Sequence, residues 1–274
     1  MNNRSSLKTK LISSPYVVWS ILFIVAPLIF VVYYSFTDAS GAFTFDNITA
    51  LSKYAPTFLR SIWFGIVATM ICLVIAFPLA YIISQKTEKV QRTLIMLVML
   101  PMWMSFLIRT YSWMALLQDT GIINSFLGKL GIEPVHMINT SGAVILGMVY
   151  NFLPYMIMPI YSVMAKLDYS MVEACQDLGG NRLTVVRRCI IPMSMPGIVS
   201  GITMVFVPSV STFYISQKLG GGSFDLIGDV IERQFQQSYN YNLGASLSLV
   251  LMVLILICMA VMNRFTGDEE GMVI

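Results

Sequence analysis

A polar stretch at residues 173–192 has the residue types of a compact docking loop and lies between two long apolar segments. Ser170 and Glu173 have the spacing of a capping box, which predicts the start of a short helix. Gly179 is placed to end that helix in a left-handed conformation, and Asn181 can cap a second, basic helix. A helix this short is not stable alone, so the loop is expected to dock on another surface. The alternative is an ordinary interhelical loop in which Glu173 only caps a helix.

Aromatic and polar side chains near the ends of three apolar segments form the second group with possible chemistry. Aromatic faces bind organic cations, at about 0.5–2 kcal/mol for each contact. The candidate residues for a solute pathway are Trp103, Arg109, Tyr150, Phe213, Tyr214 and Gln217. For any single ring the alternative is anchoring at the membrane interface. Arg109 can serve a gate or an ion pair, or it can extend its head to water.

Several chemistries are excluded by what the apolar segments lack. They carry no Asp, Glu or His, which counts against an intramembrane protease and against a proton-coupled carrier. The chain has no G-x-x-x-x-G-K-[ST] motif, so it is not expected to hydrolyse ATP itself. Its four cysteines form no C-x-x-C pair and His136 is its only histidine, so no metal site is predicted. An outside energy source is expected, with a secondary transporter or a non-transporting assembly protein as alternatives.

The elements that position these residues are long apolar helices. Hydrophobic residues make up 57% of the chain and charged residues 11%, whereas soluble domains carry about 25% charged residues. Apolar runs without period-two alternation favour transmembrane helices over strands. The sequence therefore predicts an all-α membrane protein with a transmembrane domain over residues 15–263, between segments 1–14 and 264–274. Its six helices are expected near 15–37, 61–84, 93–117, 141–165, 191–215 and 243–263.

Basic residues are distributed unequally between the two sides of the predicted membrane. With the N-terminus inside, 11 of the 17 Lys and Arg residues fall in the inner segments, which leaves six in the outer ones. The positive-inside rule then places both termini and the loop at 166–190 in the cytoplasm. The chain is therefore expected to be a multi-pass protein of the cell membrane. Its net charge of +3 gives no reason to expect nucleic acid as a partner.

The polar loop resembles the cytoplasmic coupling loop of ABC importer permeases, whose pattern is Glu-Ala-Ala-x3-Gly-x9-Ile-x-Leu-Pro. This chain has the Glu-Ala pair at 173–174, the glycine at Gly179 and the proline at Pro192. Three positions depart conservatively from the pattern, namely Cys175, Cys189 and Ile191. The resemblance implies a type I importer permease fold that couples to a separate ATPase through residues 168–192. The residues it implies for coupling are Glu173, Ala174, Asp177, Gly179 and Arg182.

Further segments look like the permease subunits of spermidine/putrescine importers. They are residues 100–103, 107–111, 147–150, 153–156, 192–197 and 213–217. The resemblance implies three kinds of partner: an ATPase dimer that binds ATP and Mg, a second homologous permease, and an extracellular substrate-binding protein. It implies no cofactor in this chain. It also places Trp103, Phe213 and Tyr214 where that branch has pathway or gate residues.

The expected substrate creates a charge problem for this chain. A polyamine needs carboxylates as well as aromatic faces, and the predicted spans contain no carboxylate. After Phe-Tyr-x-Ser the family often has Asp, where this chain has Gln217 followed by Lys218. Either the partner permease supplies the negative charge or acids outside the spans reach the pathway. Those acids are Asp38, Asp46, Asp119, Glu133, Asp225, Asp229 and Glu232. Another small solute therefore stays open as the alternative substrate.

Overall fold

The computed structural model describes residues 15–267, and regular structure in that range consists of helices plus one isolated β-bridge between Thr37 and Phe43. The predicted N-terminal segment 1–14 and residues 268–274 of the predicted tail lie outside the described residues. The helices are α1 (Pro15–Ser35), α2 (Asp46–Ala50), α3 (Ala55–Ser84), α4 (Glu88–Met99), α5 (Phe106–Leu117), α6 (Ile122–Lys129), α7 (Ser141–Met164), α8 (Tyr169–Asp177), α9 (Arg182–Val185), α10 (Ile191–Ser211), α11 (Tyr214–Leu219), α12 (Ile227–Gln236) and α13 (Tyr241–Gly267).

Five of the predicted spans correspond to helices that are long and apolar enough to cross a membrane. They are Pro15–Ser35, Asp46–Ser84, Ser141–Met164, Arg182–Ser211 and Tyr241–Met262. A sixth span exists only if the pair Glu88–Trp103 and Phe106–Lys129 is counted as one, and this pair is bent by 88°. The all-α prediction is confirmed in the described range, with six apolar segments in this form.

The helix predicted near 93–117 is interrupted and consists of two helical segments. Met104, with ψ 147°, and Ser105, with ψ 133°, are extended and separate α4 and its terminal 3-10 turn from α5. Pro101 lies in that 3-10 turn, at Leu100–Trp103, and has no N–H to continue an α-helical hydrogen-bond pattern. The chain therefore changes direction here, so Trp103 and Arg109 lie on different helices.

The predicted fifth span, 191–215, is also interrupted. Helix α10 ends at Ser211 because Thr212 is extended, with ψ 143°, and a separate helix α11 begins at Tyr214. The buried carboxylate of Asp229 accepts hydrogen bonds from the Ser216 hydroxyl (2.8 Å) and from the Leu226 N–H (2.8 Å). These bonds tie α11 to the start of α12. Phe213 and Tyr214 therefore lie at a helix break and not on one continuous helix.

The described chain forms two compact units. In the first, made of residues up to Ala55 together with Val230–Leu254, the Asn242 side chain donates to the Thr37 carbonyl at 2.7 Å. The second unit comprises Pro56–Asp229 and the chain from Ile255 onward. It contains the predicted coupling loop and all the predicted pathway residues.

Close packing of α7 against α10 forms the centre of the second unit. A Cβ built on Gly197 would lie 2.8 Å from the Pro159 carbonyl oxygen and 3.1 Å from the Ile160 Cα. One helical turn further along, a Cβ on Gly201 would lie 2.7 Å from the Met156 sulfur. These glycines form a small-xxx-small pair that lets two membrane helices approach closely.

Candidate coupling loop and solute pathway

The coupling loop begins with helix α8, and its cap differs from the predicted one. The Asp168 carboxylate accepts a hydrogen bond from the Ser170 N–H at 3.0 Å, so Asp168 is the N-cap. The capping box predicted for Ser170 and Glu173 is therefore wrong, and α8 begins at Tyr169. The Ser170 N–H, followed by its hydroxyl, lowers the pKa of the Asp168 carboxyl. An aspartate at this position also complements the positive end of the helix dipole.

Gly179 ends α8 in the predicted left-handed conformation, with φ +82°. The Gly179 N–H donates to the Gln176 carbonyl at 2.8 Å, and the Gly180 N–H donates to the Cys175 carbonyl at 3.2 Å. This pair of bonds is a Schellman motif, which satisfies the last carbonyls of a helix. A β-branched residue at Gly179 would be strained by the backbone angle alone, although its Cβ would meet no atom within 4 Å.

The second part of the loop leads directly into the membrane helix. The Asn181 side chain accepts from the Thr184 N–H at 2.9 Å and so caps α9, as predicted. A π-helical turn at Val186–Ile190 then continues α9 into α10. The elbow is therefore joined to α10 by unbroken helix.

The coupling loop has an inner face and an outer face. Val172 and Val185 are buried and belong to the core of the second unit. Leu178 is 89% exposed and Leu183 is 76% exposed, although both are large apolar residues. All five residues predicted for coupling are exposed as well, namely Glu173, Ala174, Asp177, Gly179 and Arg182. An exposed surface of this mixed character is typical of a protein interaction site.

The solute-pathway candidates divide into residues that cluster and residues that do not. The Tyr214 ring lies 5.9 Å from Phe106 and 6.2 Å from Tyr111, measured between centroids, so α5 and α11 share one aromatic cluster. The Tyr150 ring contacts Trp113 at 5.3 Å. We call Phe106, Tyr111 and Tyr214 the aromatic cluster.

Trp103 does not join the aromatic cluster. Its side chain is 74% exposed, and none of the ring contacts among residues 15–267 includes it. Phe213 precedes α11 and is 40% exposed, and Gln217 is half-buried on α11. The chain bends by 88° at the break between Trp103 and Phe106, so Trp103 lies on a different helical segment from Phe106 and Tyr111.

Lys218 is the residue of this site that the sequence reasoning missed. Its Nζ lies 5.5 Å from the Tyr111 centroid and 5.8 Å from the Tyr214 centroid. The available signal was the i,i+4 spacing of Tyr214 and Lys218, which places both side chains on one face of a helix. No comparable signal links Tyr111 to either residue, because that contact is between two separate helices.

Arg109 is buried, with 7% of its surface exposed, and so does not extend to water. Its Cζ lies 6.0 Å from the Phe106 ring centroid. Within residues 15–267, its Nε and Nη1 atoms have no hydrogen-bond acceptor. The aromatic cluster is therefore flanked by two cations of this chain, Lys218 and Arg109.

Three of the acids outside the spans are engaged locally. Asp38 accepts from the Ser40 hydroxyl at 2.6 Å, and this bond, followed by the Ala42 N–H, lowers the pKa of the Asp38 carboxyl. Asp119 lies 2.9 Å from the Nδ1 atom of His136. Asp229 is buried in the hydrogen bonds to Ser216 and Leu226 described above. These contacts give each carboxylate a structural role.

Comparison of the fold with solved structures gives a match over nearly the whole chain. The match is to a chain from a bacterial ABC transporter that is involved in the import of the acidic polysaccharide alginate. The two chains superpose with a TM-score of 0.77 at 17% sequence identity, and the match covers 98% of this chain and 99% of that chain. The same transporter in complex with an alginate-pentasaccharide-bound periplasmic protein gives the same TM-score and 98% coverage of both chains. At this identity the similarity establishes the fold, which is that of an ABC importer permease.

Sequence comparison gives more similar relatives. The spermidine/putrescine transport system permease protein PotB of Escherichia coli K12 is 38% identical over 227 residues, covering 79% of this chain and 82% of the relative. PotB of Haemophilus influenzae is 38% identical over 234 residues, covering 81% of each. The PotB homolog of Mycoplasma pneumoniae is 31% identical over 222 residues, covering 77% of this chain and 74% of the relative.

A family model matches residues 88–266, which include the bent pair, the coupling loop and the aromatic cluster. That family is described as the inner membrane component of binding-protein-dependent transport systems. The chain is thus a multi-pass subunit of the inner membrane, and it works with the other components of an ABC transporter. The family model and the PotB relatives show that the chain belongs to the family of binding-protein-dependent transport system inner membrane components.

Proposed function

We propose that this chain is a permease subunit of an ATP-driven importer of polyamines such as spermidine and putrescine. The observation that carries the proposal is the exposed coupling loop, joined by continuous helix to α10, in a chain 38% identical to spermidine/putrescine permeases. The chain forms half of the translocation pathway within its transmembrane domain, residues 15–263. It binds no cofactor itself, since ATP and Mg belong to the partner ATPase.

An ATPase dimer is the proposed partner of the coupling loop. Leu178 and Leu183 expose apolar surface on a polar loop, and burying such surface stabilises a complex by about 25 cal/mol per Å². The neighbouring Glu173, Asp177 and Arg182 provide charges that fix the register of docking. Glu173, Ala174, Asp177, Gly179 and Arg182 therefore form one coupling surface.

A second, homologous permease completes the pathway in this proposal. Arg109 and Lys218 place two cations beside the aromatic cluster, and the predicted spans of this chain carry no carboxylate. The second permease therefore provides the carboxylates that a polycation needs. An extracellular substrate-binding protein delivers the solute to Trp103, Arg109, Tyr150, Phe213, Tyr214 and Gln217.

The proposal is tested by reconstituting the four components in liposomes and measuring the uptake of labelled spermidine and putrescine. We expect uptake that requires ATP and stops when either the ATPase or the second permease is omitted. The control is an ATPase variant that binds ATP without hydrolysing it. Uptake driven by an ion gradient without ATP would instead indicate a secondary transporter. Uptake of another solute with no uptake of either polyamine would contradict the proposed substrate.

The proposed topology places both termini and the coupling loop in the cytoplasm, because 11 of 17 basic residues fall on that side. In a background without the four native cysteines, we expect Asn181→Cys to resist an impermeant maleimide in intact cells. It should react in permeabilised cells, since Asn181 is exposed. Glu133→Cys, on the exposed loop after α6, is the matched control and should react from outside. Labelling of Asn181→Cys in intact cells would reverse the orientation.

Tyr214 is expected to contact the substrate as part of the aromatic cluster. Tyr214→Ala should lower polyamine uptake per assembled complex about threefold to thirtyfold, the range that one lost cation–π contact gives. Tyr214→Leu keeps the bulk and removes the ring, so equal uptake with wild type would mean that Tyr214 only fills space. The matched control is Tyr16→Ala, since Tyr16 is 70% exposed and is a candidate interfacial anchor. That change should alter the amount of inserted complex without altering uptake per complex.

A further inference from the structure

The Lys218 ammonium occupies the position in this chain best suited to an organic cation. It lies within cation–π range of both tyrosines, at 5.5 and 5.8 Å from the ring centroids. The planes of the two rings are nearly perpendicular, at 86°. We call Tyr111 and Tyr214 the tyrosine pair. Lys218 is half-buried beside it.

The tyrosine pair has the composition of a binding site for an amine. Phenol oxygens accept hydrogen bonds from an ammonium, and the ring faces attract its charge. Tyr111 remains 45% exposed, so this subunit alone does not enclose the pair. Lys218 approaches from the same helix as Tyr214, on a side chain with several rotatable bonds, so it can leave without any movement of α11.

We propose that the Lys218 ammonium occupies the tyrosine pair when no substrate is bound and is displaced by an ammonium group of the substrate. We call Lys218 in this role the placeholder. This rests on the proposed function, because it assigns the rings to a substrate amine. Lys218 and the substrate carry the same charged group and cannot occupy the pair together. The lysine thereby competes with the substrate and raises the substrate concentration that is needed to fill the pair.

The first test measures the half-saturation concentration for spermidine in the reconstituted importer. Removing the competitor by Lys218→Met should lower it about twofold to tenfold, because a larger fraction of the sites is then open. Lys218→Arg retains a cation beside the rings and should stay closer to wild type. Lys129→Met removes the same charge from an exposed position on α6 and should leave the half-saturation concentration unchanged.

A double-mutant cycle separates displacement from simple charge repulsion. If Lys218 acts by filling the tyrosine pair, the gain from Lys218→Met should disappear in a Tyr111→Leu background. A gain of the same size in both backgrounds would mean long-range repulsion and would overturn the placeholder. An unchanged or higher half-saturation concentration in Lys218→Met, in an importer that does transport spermidine, would also overturn it.

A spectroscopic test uses the assembled importer without removing the lysine. Reductive methylation with carbon-13 keeps the charge, and the signal that is lost in Lys218→Arg identifies Lys218. Ring currents of the tyrosine pair should shift this signal away from that of an exposed lysine such as Lys129. Saturating spermidine should return it toward the exposed position, whereas a signal that does not move would overturn displacement. If the wild-type importer takes up no polyamine at all, the proposed function and the placeholder both fail.

Discussion

Replacing Gly179 by valine is expected to lower ATP-driven uptake about tenfold or more. A left-handed conformation costs a residue with a side chain about 1–2 kcal/mol, and a β-branched residue is a strong outlier there. Gly179 has φ +82° and closes the Schellman motif at the end of α8. Valine should therefore unwind the elbow that presents Leu178 to the ATPase. The measurement compares uptake with ATP hydrolysis in the same liposomes, and hydrolysis should lose its dependence on the permease.

Two matched variants distinguish this effect from general destabilisation. Gly179→Asn should retain most of the uptake, because asparagine adopts the left-handed region more readily than other residues. Gly131→Val imposes the same strain, at φ +76° and with no atom within 4 Å of the added Cβ, but on the loop after α6. It should leave coupling intact. If Gly179→Val coupled normally, the coupling-loop assignment would be wrong.

Replacing Gly197 by valine should remove most of the folded subunit from the membrane. Its Cβ would meet the Pro159 carbonyl oxygen at 2.8 Å and the Ile160 Cα at 3.1 Å, and backbone atoms cannot move aside as a side-chain end can. Overpacking by a few methyl groups costs about 1–3 kcal/mol, which is a large fraction of a typical domain's stability. The measurement is the yield of monodisperse protein after extraction, together with its thermal unfolding midpoint.

The control for this prediction is another helical glycine with free space around it. Gly128 lies in α6, and a Cβ built there would meet no atom within 4 Å. Gly128→Val should therefore give nearly wild-type yield, although valine has the same intrinsic helix propensity at both positions. Equal yields for Gly128→Val and Gly197→Val would show that α7 and α10 are not held at the close approach seen here.

Local sequence signals account for much of the coupling loop. The left-handed Gly179 and the Asn181 cap were both predictable, because each depends on a residue's own backbone preference and on neighbours within four positions. The N-cap of α8 lies at Asp168, two residues before Ser170, the predicted cap. Both residues are good caps, and the choice between them depends on how the chain leaves α7, which no local pattern specifies.

Most contacts of the aromatic cluster could not be predicted from local sequence signals. The resemblance predicts Tyr214 and Trp103 in one solute pathway. In the structure the ring beside Tyr214 is that of Tyr111, which follows the bend after Trp103. The contact between Tyr214 and Lys218 follows from helical spacing within α11, whereas the contact between Tyr111 and Tyr214 depends on how α5 and α11 pack.

The sequence by itself determined the class of this protein: its apolar runs require helices that satisfy their own hydrogen bonds in lipid, and the pattern from Glu173 to Pro192 predicts a coupling loop. The tertiary structure alone decided which glycines allow close approach and that Tyr111 joins Tyr214 and Lys218. The physical reason is the distance along the chain over which each interaction acts. Hydropathy, capping and a proline such as Pro101 act within one or two turns, whereas the approach of Gly197 to α7 and the contact of Tyr111 with Tyr214 join helices far apart in the chain.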